Sequence, residues 1–280
     1  MDPSTSPSHT DDRAAADYCA RIGLSPDEAD SVDRDTLARL QRAHVTTVPF
    51  ETFSINGDPV GGRPGGGVSL SVPRLYEKVV AHERGGFCFE LNGAFGWLLG
   101  ELGFEVTRLS ARMVSAIDLP ANHHPLLVTL DEQYLVDVGM GEPMLRRPLP
   151  LDAAESAPTD EAGVRWRVVA SDRPDATHLL QYSEDGEAWQ DRYVFDTVPR
   201  SLDYFTATCD YLQSAPESGF VGEPTATLAT ADGSVKLKPE QFSVTRSGEV
   251  EERPVDESTY HDLLANEFGI VFPGDTSVPL

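Results

Sequence analysis

The 280-residue chain is 40% hydrophobic, with 12 Phe, 8 Tyr and 3 Trp, enough apolar material for a sizeable core, which excludes a disordered chain. Against 22 Lys and Arg stand 46 Asp and Glu, a formal charge of −24, so the surrounding field repels polyanions and argues against nucleic acid or an anionic membrane as a partner. The acids are spread along the whole length and only Lys78, Lys236 and Lys238 are lysines. That pattern predicts adaptation to high salt, where a Debye length of about 3 Å at 1 M screens self-repulsion. No stretch approaches the ~20 apolar residues of a membrane span and no basic, apolar signal opens the chain, so a cytoplasmic protein is expected. Cys19, Cys88 and Cys209 are odd in number and widely spaced, which predicts neither a disulfide framework nor a metal site.

In chain order, MDPSTSPSHTDD is polar and rich in Pro and Ser and predicts a flexible leader, taken as residues 1–14. Helical patterns follow from Arg13 to Val45, broken at Gly23 to Pro26, with Ser25-Pro26-Asp27-Glu28 reading as a helix start. Between Asn56 and Pro73 lie six glycines and three prolines, a loop that is either a lip over a site or a tolerated insertion. A short helix, PRLYEKVVAHE, precedes a longer one, in which Phe87, Leu91, Ala94, Phe95, Leu98, Leu99 and Leu102 recur at three- and four-residue spacing up to Gly103. Residues 15–103 are thus expected to form a helical domain. From Phe104 to Pro199 short β patterns separated by turns predict an antiparallel sheet or small barrel. Residues 200–280 mix a helical start (SLDYFTATCDYL), strands near TATLAT, SVKLK and FSVTR, and a last helix, DESTYHDLLANEF, giving an α+β chain with a C-terminal α/β unit.

Glu83 to Asn92 reads ERGGFCFELN. At the first turn of a helix, Cys88 would have its thiolate stabilised by unpaired N–H groups and the helix dipole, and Gly85-Gly86 would allow a close approach by another molecule. A buried core thiol behind a Gly-Gly turn explains the same spacing. A thiolate nucleophile needs a base and an orienting acid or amide. Of seven histidines, His123 and His124 stand out, held outside regular structure by Pro120 and Pro125 ahead of a strand, while Asp137 closes the next strand inside an apolar run where an unpaired acid is costly. With a turn at Asp131-Glu132, Asp137 falls opposite roughly Leu126, so His123 must fold back to reach it. A His and Asp that merely close a hairpin end fit the spacing as well.

RGGFCFELN, a histidine ahead of an LLV strand, YLVDVGMG, an upstream VPFET and a downstream SAPESGF together resemble the arylamine N-acetyltransferases, from about residue 15 to the C-terminus. The resemblance implies a helical bundle, a central antiparallel β-barrel and an α/β lid over residues 200–280, built around a papain-like Cys-His-Asp core. It makes Cys88 the acyl-accepting nucleophile, His123 its base, by its spacing to Val128, and Asp137 the group that orients the imidazole. Phe50, Phe89, Met140 and Phe220 fall at acceptor-pocket positions, and Ser214 and Ser218 at coenzyme A-binding ones. Acetyl-CoA as co-substrate, an aromatic amine or hydrazine as acceptor, and no metal are the implied partners. The same triad would also serve closure of a polyketide macrolactam or another Cys-His-Asp acyl transfer or hydrolysis; a ligand-binding relative with an inert triad is the non-enzymatic reading. Met140 in place of Phe, Thr52 in place of Asn and a long loop at Gly61 to Gly67 depart from the family pattern. The acidic surface also requires Arg residues or backbone N–H groups to hold the phosphates of coenzyme A locally.

Overall fold

The computed structural model describes residues 9–56, 67–152 and 159–272; most of the glycine-rich segment, including Gly61 to Gly66, lies outside them. Helix α1 (His9–Arg21) begins inside the stretch expected as leader, and α2 (Arg34–Val45) follows a short 3-10 turn at Pro26–Glu28. Asp33 caps α2 by accepting the Thr36 N–H at 2.8 Å, and the Ser25 motif caps only the 3-10 turn. After the two-residue strand β1 (Phe50–Glu51), α3 (Val72–Tyr76) runs into a π-helical turn, Glu77–Ala81, and α4 (Cys88–Glu101) carries the cysteine at its first position. Leu37, Leu40, Leu91, Phe95, Leu98 and Leu99 from α2 and α4 are fully buried in one core, as the three- and four-residue spacing requires.

The next strands are β2 (Glu105–Arg108), β3 (Ala111–Met113), β4 (Leu126–Thr129), β5 (Gln133–Val136), β6 (Leu149–Pro150), β7 (Arg165–Ala170), β8 (His178–Ser183) and β9 (Gln190–Phe195). They form two open four-stranded antiparallel sheets, β2-β4-β5-β6 and β3-β9-β8-β7, rather than the closed barrel expected. The break lies at Leu109-Ser110: β2 pairs with β4, but two residues on β3 pairs with β9, so the chain changes sheets instead of closing one. Leu127 and Leu135 of the first sheet face Trp166, Val168, Leu180 and Tyr193 of the second, while Leu126, Val128 and Val136 face the helices. The first sheet is therefore buried on both faces, which accounts for the uninterrupted apolar run before Asp137.

After α5 (Thr206–Leu212), β10 (Ala226–Ala229), β11 (Gly233–Lys238), β12 (Gln241–Arg246) and β13 (Glu249–Pro254) form an antiparallel meander that β1 extends at one edge. Val235, Leu237 and Phe242 pack on Tyr260 and Leu264 of α6 (Glu257–Phe268), which Asp256 caps. The strand β13 is missing from the apolar pattern because all six of its residues are exposed.

Candidate active site

Helix α4 opens at the junction of the three sheets. Its approach, Gly85-Gly86, runs beside β1: the Glu51 N–H donates to Gly86 O at 2.9 Å, and a Cβ on Gly85 would lie 1.9 Å from Pro49 O. A Cβ on Gly86 would meet the Glu90 carboxylate at 2.7 Å. Neither glycine has a positive φ. The two glycines thus make room for the chain's own PFET segment and for Glu90, not for a second molecule.

Behind this turn four charged side chains are sealed together. Lys78 Nζ donates to Glu90 Oε1 at 2.8 Å and lies 3.4 Å from Glu51 Oε1, which also accepts from Arg84 Nη2 at 3.0 Å. The second oxygens accept the N–H of Phe53 and of Phe87, so each acid also fastens backbone, and the Glu90 bond caps α4. Burial would raise the Glu51 pKa, but Lys78 and Arg84 hold it below the usual carboxylate range; Glu90, facing burial and Glu51 with one cation, is raised.

On the other side of the helix tip, Asp137 leaves β5 on the same face as Leu135, towards the second sheet. All of its acceptor capacity is used: Asn92 Nδ2 and the Gly139 N–H donate to Oδ1 at 2.8 and 2.9 Å, while His123 Nε2 and the Tyr193 hydroxyl meet Oδ2 at 2.6 and 3.0 Å. Burial opposes ionisation, yet His123 and these donors outweigh it and hold the Asp137 pKa below its ordinary value. Leu126 pairs with Val136, one residue from the expected register, so Asp137 falls opposite Pro125; His123 does fold back, bridging Ala111 of β3 through both backbone hydrogen bonds, ahead of the hairpin. Asn122 pins this turn by accepting the Met113 N–H at 2.7 Å and donating to Ala116 O at 2.7 Å. His124 points elsewhere, packed between Phe89 and Phe205 with ring centroids 6.4 and 4.7 Å away and neither ring nitrogen hydrogen-bonded.

Cys88 is 3% exposed, with Sγ 4.0 Å from Asn122 O. Burial pushes its thiol well up, and the neighbouring Cys209 and Asp137 add to this, so the helix terminus does not by itself lower the pKa as expected. A cavity of about 420 Å³ opens on Cys88 and His123 and is lined further by Phe50, Met140 and Phe220, three of the four predicted pocket residues. The fourth, Phe89, does not line it; fully buried, it packs on Phe87, His124 and Phe205, because the residue after Cys88 on a helix points a third of a turn away. Ser214 and Ser218 do not line it either: both hydroxyls donate to backbone carbonyls, of Asp210 and Leu212. Gly139 explains the VDVGMG spacing, since a Cβ there would lie 2.8 Å from the Cys88 Cα and O.

With this geometry, a family model described as N-acetyltransferase matches residues 33–276. The arylamine N-acetyltransferase of Mycolicibacterium smegmatis is 36% identical over 262 residues, covering 90% of each chain. This chain belongs to the arylamine N-acetyltransferase family. The solved arylamine N-acetyltransferase of Mycobacterium abscessus superposes with a TM-score of 0.81 at 26% identity, over 98% of this chain and 96% of that one. That of Mycobacterium marinum, solved in complex with CoA, gives 0.77 at 30% identity over 90% and 91%. The mixed α+β architecture is therefore that of the arylamine N-acetyltransferases, and the chain is an N-acetyltransferase.

Three parts of the site were not singled out from the sequence. Asn92 closes the ERGGFCFELN motif and holds both Asp137 and the Val138 N–H, at 2.8 and 2.9 Å, a role its place four residues after Cys88 on one helix face makes readable. Tyr193 of β9 reaches Asp137 from the second sheet, and Gln41 of α2 donates to Leu145 O at 2.9 Å beside Asp137 O. Neither carries a local pattern. Among the described residues no helix is long and apolar enough to cross a membrane, and no group of three or more His, Cys, Asp or Glu could hold a metal ion.

Proposed function

We propose that the chain acetylates arylamines or hydrazines from acetyl-CoA by a ping-pong reaction through an acetyl-Cys88 intermediate, with His123 as base and Asp137 as its orienting partner. The observation that carries this reading is the His123–Asp137 pair, 2.6 Å apart, whose imidazole lines one cavity together with Cys88. Because Asp137 occupies Nε2, Nδ1 is the ring nitrogen left for the thiol. The buried thiol passes its proton to Nδ1, and the resulting thiolate attacks the thioester carbonyl. The tetrahedral oxyanion is stabilised by backbone N–H groups at the tip of α4, that of Cys88 included, each such donor being worth about 3 kcal/mol. Collapse expels the coenzyme A thiolate, which takes the proton from the imidazolium. An arylamine then attacks the acetyl-cysteine, His123 removes its proton, and Cys88 leaves as thiolate to regain that proton. Asp137 stays ionised throughout and stabilises the transient imidazolium. Phe50, Met140 and Phe220 offer the acceptor ring an apolar wall, in which the flexible Met140 thioether shapes amine preference.

Incubation with acetyl-CoA in the absence of amine, followed by peptide mass spectrometry, is expected to show one acetyl group on the peptide containing Cys88 and a stoichiometric burst of CoA. Cys88→Ala is expected to lose both. A burst that survives this substitution refutes the assignment.

A further inference from the structure

One wall of the cavity has no part in the chemistry above. Alternation along β11 turns Val235 and Leu237 towards α6, and Ser234, Lys236 and Lys238 the opposite way; both lysines line the cavity that holds Cys88. The chain has only three lysines, and the third, Lys78, is sealed with Glu51 and Glu90. Every lysine outside that cluster therefore stands on one strand face at the candidate active site of a protein with a formal charge of −24. Their surroundings differ. Lys238 is paired with Glu223 at 2.9 Å in a partly exposed contact, whereas Lys236 has no ion-pair partner among the described residues. Glu142, the other acid lining the cavity, is engaged by the hydroxyls of Ser234 and Thr245.

We propose that Lys236 and Lys238 form an anion-receiving subsite that holds a substrate's anionic group, either the phosphates of an acyl-CoA donor or a carboxylate on the acceptor amine, with Glu223 the counter-ion that this group displaces from Lys238. The choice of donor rests on the ping-pong reading; the subsite itself does not. A mobile ammonium on a flexible stem suits a phosphate or carboxylate approaching as a point charge. An exposed ion pair such as Lys238–Glu223 contributes little and exchanges readily for a stronger anion. A cationic strip inside a cleft also draws an anion in locally where the net field repels it.

The test is steady-state kinetics of the full chain with two donors, acetyl-CoA and uncharged p-nitrophenyl acetate, and two acceptors, an aminobenzoate and an uncharged aniline. Lys236→Ala is expected to lower the preference for acetyl-CoA over the neutral ester about tenfold through KM, the loss of one charge-assisted contact. Lys236→Arg should retain the preference, and Glu223→Gln should lower KM for the anionic substrate about threefold. A shift confined to the aminobenzoate and aniline pair supports the subsite and assigns the anion to the acceptor. No shift with either pair overturns it. If wild type acetylates Cys88 from neither donor, the ping-pong reading fails instead; inorganic pyrophosphate then tests the subsite alone, and equal affinity for wild type and Lys236→Ala overturns it.

Discussion

Two buried polar clusters flank the tip of α4, and the difference between them separates structural charge from chemical charge. Glu51, Lys78, Arg84 and Glu90 are all about 1% exposed and pair two acids with two bases. Asp137 and His123 are equally buried, at 0% and 2%, but the imidazole borders a cavity with the thiol. Burial and perturbed titration are common to both. Access to a thiol and to an open cavity belongs to one.

The sharpest way to break the comparison is Asp137→Asn, which keeps the shape but removes the charge that orients His123. It is expected to lower kcat by about 10³–10⁴-fold, the scale of the same change in a serine triad, measured as CoA release at saturating amine. Lys78→Met, in the sealed cluster, is expected to do the reverse: a loss of about 3–5 kcal/mol of stability by urea unfolding from stranding Glu90 and leaving Glu51 with Arg84 alone, with kcat per folded molecule retained. If Lys78→Met abolishes turnover without unfolding, the division fails. Tyr193→Phe removes one donor at 3.0 Å from Asp137 and should lower kcat about tenfold with little change in KM.

Titration distinguishes the clusters by sign. The Asp137 pKa is lowered on folding, so its stabilisation is complete above the unfolded carboxyl range near pH 4 and is lost as pH falls through the lower folded value. Glu90 is raised, so its contribution is complete below that range and is lost as pH rises through the folded value. Urea unfolding across acid to neutral pH should therefore show opposite changes of slope for Asp137→Asn and Glu90→Gln. The smallest expected effect per charge is that of salt. Molar KCl should raise Tm by screening the 46 acids, and raise KM for acetyl-CoA by screening Lys236 and Lys238. A Tm insensitive to KCl would remove the case for salt adaptation.

Much of the architecture and the place of Cys88 at a helix tip could be read from local patterns, because helix α4 and the β4–β5 hairpin are specified by spacing of apolar residues and by turn chemistry. The sheet change at Leu109-Ser110 could not, since a strand that switches partners keeps the same alternation on either side. Phe89 does not line the cavity because adjacency to Cys88 in sequence is not adjacency to the cavity on a helix, while Ser214 and Ser218 fasten backbone carbonyls at the end of α5, a role their sequence does not distinguish from hydroxyls facing a ligand.

By itself the sequence determined the order of elements, the cysteine at a helix tip, the surplus of acid and the motifs that mark the family, all of which depend on residues close in the chain. Tertiary structure alone decided that Tyr193 and Gln41 support the His123–Asp137 pair from two other elements, and that Lys236 and Lys238 line the cavity that holds Cys88. Those choices depend on which faces of distant strands meet, and packing, not local propensity, sets that.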